Sequence, residues 1–162
     1  FLSRMSDILQ KPILALITSA LEAASGGYRY DDVFRYLKTG LTGLSAAQIN
    51  ADREGTALRC AQAWNAVVVL KGARTVVAAP DGRVCVNPTG NPGLSRGGSG
   101  DVLAGMTAAL LACRLPAYEA AACAVYLHGA AADRAAAVHG EYGMLPHDIL
   151  PELGRMFAEH QR

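Results

Sequence analysis

Charge is scarce in this sequence of 162 residues: charged side chains make up 18%, and 15 Lys and Arg against 14 Asp and Glu leave a net charge of +1. That balance excludes a broad basic surface for nucleic acid and an acidic tail. Long apolar runs are also missing. The longest near the start, Pro12 to Ala20, is broken by Thr18 and Ser19 and is too short to span a bilayer, so no membrane partner is expected. No signal peptide is visible, although the sequence opens on Phe1 rather than methionine and its natural start is left open. The four cysteines, Cys60, Cys85, Cys113 and Cys123, lack CxxC spacing and sit in apolar stretches, which reads as buried thiols in a reducing cytoplasm. His128, His139, His147 and His160 show no metal-ligand spacing, and no metal site is expected from them.

What the chain does have is apolar mass: 51% hydrophobic residues, with alanine at 30 positions, enough for a packed core. Its texture falls into three zones. Residues 1–50 read as helices, over Pro12 to Ala24, over Asp31 to Lys38, and from the capping-box spacing Ser45-Ala-Ala-Gln48 on to about Trp64. The period then changes. Val67 to Leu70 is an uninterrupted apolar run, expected as a strand buried on both faces, and Thr75–Ala79 and Arg83–Val86 flank Pro80-Asp81-Gly82 as a hairpin. Asn87 to Ser99 is loop, and helices follow over 100–113, 117–138 and 149–160. The order argues for an α/β fold with about three strands, preceded by a helical segment.

Glycine is concentrated. Seven of the 17 glycines fall between residues 82 and 105, and Gly97-Gly98-Ser99-Gly100-Asp101 runs straight into an apolar helix. Glycines let a backbone turn bring several N–H groups together, and a helix start adds free N–H groups and its dipole, which makes a phosphate pocket. An aspartate there is placed to take a proton from a hydroxyl held beside the phosphate, or else simply caps the helix. The spacing matches neither GxxxxGK[ST] nor a GxGxxG that opens after a strand.

Leu70-Lys-Gly-Ala-Arg-Thr75, the Pro80-Asp-Gly82 hairpin, Thr89-Gly-Asn-Pro-Gly93, Gly97-Gly-Ser-Gly-Asp-Val-Leu-Ala-Gly105, Tyr126-Leu-His-Gly-Ala-Ala-Ala-Asp133 and Asp148-Ile-Leu occur in that order. Together with the preceding helix Arg53 to Trp64, they make residues 51–162 resemble the C-terminal half of the ADP-dependent NAD(P)H-hydrate dehydratases. These are metabolite-repair lyases of ribokinase-like, carbohydrate-kinase-type fold. The resemblance implies that ADP or ATP, with Mg2+, drives removal of water from hydrated NADH or NADPH. It makes Asp101 the base on the hydrate's hydroxyl, Gly98, Ser99 and Gly100 the anion hole, and Lys71, Gly72, Ala73, Arg74 and Thr75, with Gly100, the nucleotide contacts. It also implies a cytoplasmic protein, often homo-oligomeric. Arg96 borders the loop without belonging to the pattern, His128 reads as structural, and Asp133 as structural or on the surface.

The resemblance leaves out the half that precedes the LKG strand, so the chain alone is expected to be incomplete, and the Val67 strand to keep an unpaired edge. Ile8 to Leu44, with Tyr28-Arg-Tyr-Asp-Asp-Val-Phe-Arg-Tyr-Leu-Lys-Thr-Gly-Leu-Thr-Gly-Leu44, resembles instead a stretch of the B subunit of the recombinational helicase–nuclease. That implies a join of two gene fragments near Ile49 to Asp52, dividing the chain into residues 1–50 and 51–162. The shared glycine loop leaves a small-molecule kinase of the same superfamily as an alternative, and residues 8–44 leave a non-enzymatic DNA-repair fragment.

Overall fold

The computed structural model describes residues 46–160. The helices expected over Pro12–Ala24 and Asp31–Lys38, and the helicase–nuclease-like stretch, lie outside the described residues. The chain divides into two compact units, residues 1–51 and residues 52–162. Of the first, only the helix α1 (Ala46–Ala51) is described.

The single helix expected from Ser45 to Trp64 is two, because α2 (Arg53–Trp64) starts afresh. Asp52 is its N-cap: the carboxylate accepts from the Gly55 amide at 2.9 Å and from Arg59 at 3.1 Å, and both hold it below the usual carboxylate range. The helix stops at Asn65, whose φ of 49° is left-handed, a conformation asparagine tolerates at a helix end.

Three strands follow, β1 (Val68–Leu70), β2 (Val76–Ala78) and β3 (Val84–Val86). They form an antiparallel meander in the order β1-β2-β3, with Val69 opposite Val77 and Val77 opposite Cys85. The hairpin turn is the expected one: Gly82 (φ 100°) allows the reversal, and Asp81 accepts from the Arg83 amide. Arg83 also binds Glu119 at 2.6 Å and lies over the Tyr118 ring at 4.4 Å, which fastens the hairpin to the next layer.

Strand alternation sorts the core. Val76 and Ala78, with Val68, Leu70, Val84 and Val86 beside them, pack under Ala57 and Ala61 of α2. On the opposite face Val77, with Val67, Val69 and Cys85, packs against Leu103 and Met106 of α3 (Ser99–Ala112) and Ala121, Ala124 and Val125 of α4 (Ala117–His139). The result is a helix–sheet–helix sandwich. β1 differs from expectation: helices cover both its faces, yet all three residues are only half-buried, because β1 pairs with β2 alone among the described residues. The cysteines are also less buried than expected. All four are free, Cys113 is exposed, and the others are half-buried.

A second cluster closes the far end of α4. Ala131, Ala132 and Ala135 pack on Met144 and on Ile149 of α5 (Ile149–His160), with Leu153 and Met156 beside them. Glu152, 6% exposed, is paired by Arg134 of α4 and by Arg155. No helix among the described residues is long and apolar enough to cross a membrane.

Candidate active site

The turn that leaves β1 is built around one arginine. Arg53 of α2 donates to the carbonyls of Leu70 (2.9 Å) and Lys71 (3.1 Å). Gly72 has φ 150°, and a Cβ there would sit 2.9 Å from the Arg53 guanidinium, so the LKG glycine meets both a backbone and a space requirement. Thr75 Oγ1 donates back to Gly72 O at 3.1 Å. Arg74 (φ 55°) and Ala73 are exposed between them. The five residues Lys71 to Thr75 therefore form one tight turn with the lysine at its start.

The second wall is the start of α3. Gly98, at φ 93°, is its N-cap, and the amides of Asp101 and Val102 both turn back to Gly98 O at 3.1 and 3.2 Å. Ser99 is 2% exposed and its hydroxyl donates to Leu94 O at 2.6 Å, so its side chain holds the loop rather than facing outward. Its amide meets Arg96 O at 3.4 Å. The amides of Gly98 and Gly100 have no acceptor among the described residues. That leaves two N–H groups and the positive end of a 14-residue helix open to an anion.

Lys71 Nζ lies over Gly100, near enough to Asp101 to feel its charge without forming an ion pair with it. A Cβ on Gly100 would lie 3.1 Å from Lys71 Nζ. Burial pushes the Lys71 ammonium down from the ordinary lysine value, and the Asp101 carboxylate pushes it back up. Asp101 itself is exposed in the first turn of α3. His128 of α4 lies behind this pair, 4% exposed, with no hydrogen-bond partner for Nε2. Burial, and then the Lys71 charge, lower its pKa, while a backbone hydrogen bond with Ser99 acts the other way. Beside the pair opens a mainly apolar cleft of about 390 Å³, lined by Val69, Lys71, Gly100, Leu103, Thr107 and Leu111 among others.

The structure thus brings Lys71, Gly98, Gly100 and Asp101 together and keeps Ser99's hydroxyl inside. The Thr89–Gly93 stretch lies along α4: Thr89 Oγ1 donates to Tyr126 O at 2.9 Å, and Asp133 accepts from the Gly90 amide and from Asn91. Arg96 donates to Tyr142 O and is a brace. Two features that position this site carry no local sequence signal. Arg53 acts 17 residues along the chain. Asn91 and Asp133 meet across 42. Among the described residues, no three His, Cys, Asp or Glu side chains cluster as a metal site.

A family model described as NAD(P)H-hydrate dehydratase, of the carbohydrate-kinase type, matches residues 36–155. The chain belongs to the NAD(P)H-hydrate dehydratase family. A relative from Moorella thermoacetica, a bifunctional NAD(P)H-hydrate repair enzyme, is 52% identical over 110 residues, which are 68% of this chain and 21% of the relative. The ADP-dependent (S)-NAD(P)H-hydrate dehydratase of Bacillus subtilis is 40% identical over 120 residues, 72% of this chain and 44% of its own length. A crystal structure of the ADP/ATP-dependent dehydratase from Bacillus subtilis, co-crystallized with ATP and Mg2+, aligns at TM-score 0.70 and 36% identity, covering 80% of this chain and 45% of that one. The chain therefore spans less than half the length of each of these family members. Its α/β architecture with three strands is that of part of their fold.

Proposed function

We propose that this chain carries the nucleotide-facing and base-bearing half of an ADP- or ATP-dependent NAD(P)H-hydrate dehydratase site, working in the repair of hydrated NADH and NADPH. One observation supports this above the rest: the Lys71 ammonium lies beside Gly100, within electrostatic reach of Asp101, at a helix start with open amides. A phosphoryl group seated on those amides is flanked by a cation on one side and a carboxylate on the other.

The chemistry follows from that placement. Asp101 takes the proton of the hydrate's hydroxyl as its oxygen attacks the terminal phosphorus of the nucleotide. The bond to the bridging oxygen breaks, leaving AMP from ADP or ADP from ATP. Meanwhile the amides of Gly98 and Gly100 and the α3 dipole offset the charge on the phosphoryl oxygens in flight. The ring C–O bond of the phosphorylated hydrate then breaks, phosphate leaves, and loss of a proton from the neighbouring carbon restores the double bond. Lys71, beside Gly100, holds the nucleotide's phosphates, with the Gly72–Thr75 turn behind it. Mg2+ supplies further neutralisation of those phosphates. Bound with the nucleotide, the ion would be held by the phosphates that Lys71 and the Gly98 and Gly100 amides also contact.

The test is calorimetric titration of ADP, ATP and AMP with Mg2+, followed by a dehydration assay on hydrated NADH with the chain and its Asp101→Asn variant. Binding of ADP or ATP by both proteins is expected, with any dehydration confined to the aspartate form. Failure of ADP and ATP to bind at millimolar concentration overturns the reading.

A further inference from the structure

The glycine loop is held from a distance, and the holding point is a carboxylate. Asp133 of α4 accepts from the Gly90 amide with Oδ2 at 2.9 Å and from Asn91 Nδ2 with Oδ1 at 3.0 Å. Asn91 in turn accepts from the Gly93 amide at 2.9 Å, as N-cap of the 3-10 turn Pro92–Ser95. The turn leads to Leu94, whose carbonyl receives the Ser99 hydroxyl at 2.6 Å. Ser99 is the first residue of α3, between the two glycines whose amides face the anion position. The series runs through directed hydrogen bonds joined by the short Gly93–Leu94 stretch of chain, and it ends on Ser99, which is buried.

Further contacts seat the loop on α4. Thr89 Oγ1 reaches Tyr126 O, and Asn87 Nδ2 reaches Thr89 O at 3.0 Å. The loop lies so close to α4 that a Cβ on Gly129 would meet Thr89 Oγ1 at 2.2 Å and Gly90 N at 2.9 Å. Gly129 thus lets the loop down onto the helix, and Asp133 fixes its register.

We infer that Asp133, through Asn91, is a positioning residue that sets the geometry of the Gly98–Gly100 anion turn. Its bearing on phosphoryl transfer rests on the function proposed above, whereas the coupling itself is testable without any ligand. Exchanging the two side chains offers a clean probe. Asp133→Asn alone sets an amide N–H against Asn91 Nδ2, and Asn91→Asp alone sets two carboxylates face to face. The double exchange restores every bond, with donor and acceptor reversed only between the two side chains. The carboxylate now at position 91 accepts from the Gly93 amide and from the side-chain amide now at position 133, whose oxygen accepts from the Gly90 amide. Net charge is also kept.

The experiment follows the Gly97–Asp101 amides of the full chain by two-dimensional NMR and hydrogen exchange, in wild type, both single variants and the double exchange. Arg134→Ala, which breaks the pairs Arg134 makes with Glu159 and with the buried Glu152 of α5, serves as a control of ordinary destabilisation. We expect each single variant to shift the Gly98, Ser99 and Gly100 resonances and speed Ser99 exchange several-fold. The double exchange is expected to return both to wild type, and Arg134→Ala to leave the resonances in place. Shifts confined to Gly90 and Asn91, an equal response to Arg134→Ala, or no rescue by the double exchange each overturn the inference. Magnesium-ADP titration of the same proteins separates the two claims: wild type that fails to bind ADP while the NMR pattern holds removes the proposed function and leaves the coupling standing.

Discussion

The Lys71 ammonium and the α-carbon of Gly100 stand so close that a single added methyl would lie 3.1 Å from Nζ. The contact belongs to the far end of a flexible side chain, so it can yield, but only by shifting the cation from its place beside Gly100. Gly100 also lies in the first turn of α3 with ordinary helical backbone, where alanine is the better helix former by up to about 1 kcal/mol. Gly100→Ala should therefore keep or slightly raise the melting temperature while weakening ADP binding about tenfold, which corresponds to ~1.4 kcal/mol. Differential scanning and titration calorimetry on the same sample check this. A parallel fall in both quantities would show that the glycine is needed for folding and not for the lysine.

The same pair makes an electrostatic prediction. The Asp101 charge raises the Lys71 pKa against the stronger lowering effect of burial. Replacing Asp101 by asparagine removes the upward push, so the Lys71 pKa should fall further below the ordinary lysine value of 10.5. The rate of acylation of Lys71 at fixed mildly alkaline pH, mapped by mass spectrometry, should rise several-fold in Asp101→Asn. An unchanged rate means the two groups do not sense each other.

His128 sets an acid limit on stability. Its folded pKa lies below 6.5, first because it is buried and then because Lys71 is near. As pH falls through 6.5 the unfolded chain binds a proton that the folded chain does not, so stability drops with falling pH until the folded pKa is reached. The slope from this one group is at most about 1.4 kcal/mol per pH unit. Urea unfolding between about pH 7.5 and roughly 5 should show a steeper loss for wild type than for His128→Asn. Coincident slopes would remove His128 as the cause.

Much of this site can be read along the chain, because its features are local. The turn Lys71–Thr75 and the helix start Gly98–Asp101 each consist of neighbours whose glycines mark unusual φ or close approach, and that kind of information sits in the residues themselves. The hairpin is legible for the same reason. What stays hidden depends on distance or on surroundings. Arg53 is a charged residue early in a helix until the fold brings β1's carbonyls to it. Asp133 gains its meaning from Asn91, 42 residues away. The apolar run Val67–Leu70 implies cover on both faces, as found, whereas the expectation of an unpaired edge comes from the missing half of the resemblance and not from the apolar residues; among the described residues β1 pairs with β2 alone. The break at Asp52 is masked by helix formers on both sides, although Asp-x-x-Gly is the spacing by which the aspartate caps α2.

The three glycines Gly129, Gly105 and Gly154 share a helical setting and differ only in what lies outside, which makes them a controlled comparison. Around Gly105 and Gly154 nothing stands within 4 Å of an added Cβ. Alanine at either should stabilise the protein by up to about 1 kcal/mol through helix propensity alone. At Gly129 the same methyl would meet Thr89 C at 2.7 Å and Gly90 N at 2.9 Å, atoms of backbone that cannot rotate aside. The loop must lift, and Thr89, Gly90 and Asn91 must then stretch or lose their bonds to Tyr126 and Asp133. A cost of roughly 1–3 kcal/mol for such overpacking outweighs the propensity gain. Chemical denaturation should therefore place Gly105→Ala and Gly154→Ala at or above wild type and Gly129→Ala below it. If Gly129→Ala is as stable as the other two, the loop does not rest on α4 as described, and the path from Asp133 to the anion turn loses its foundation.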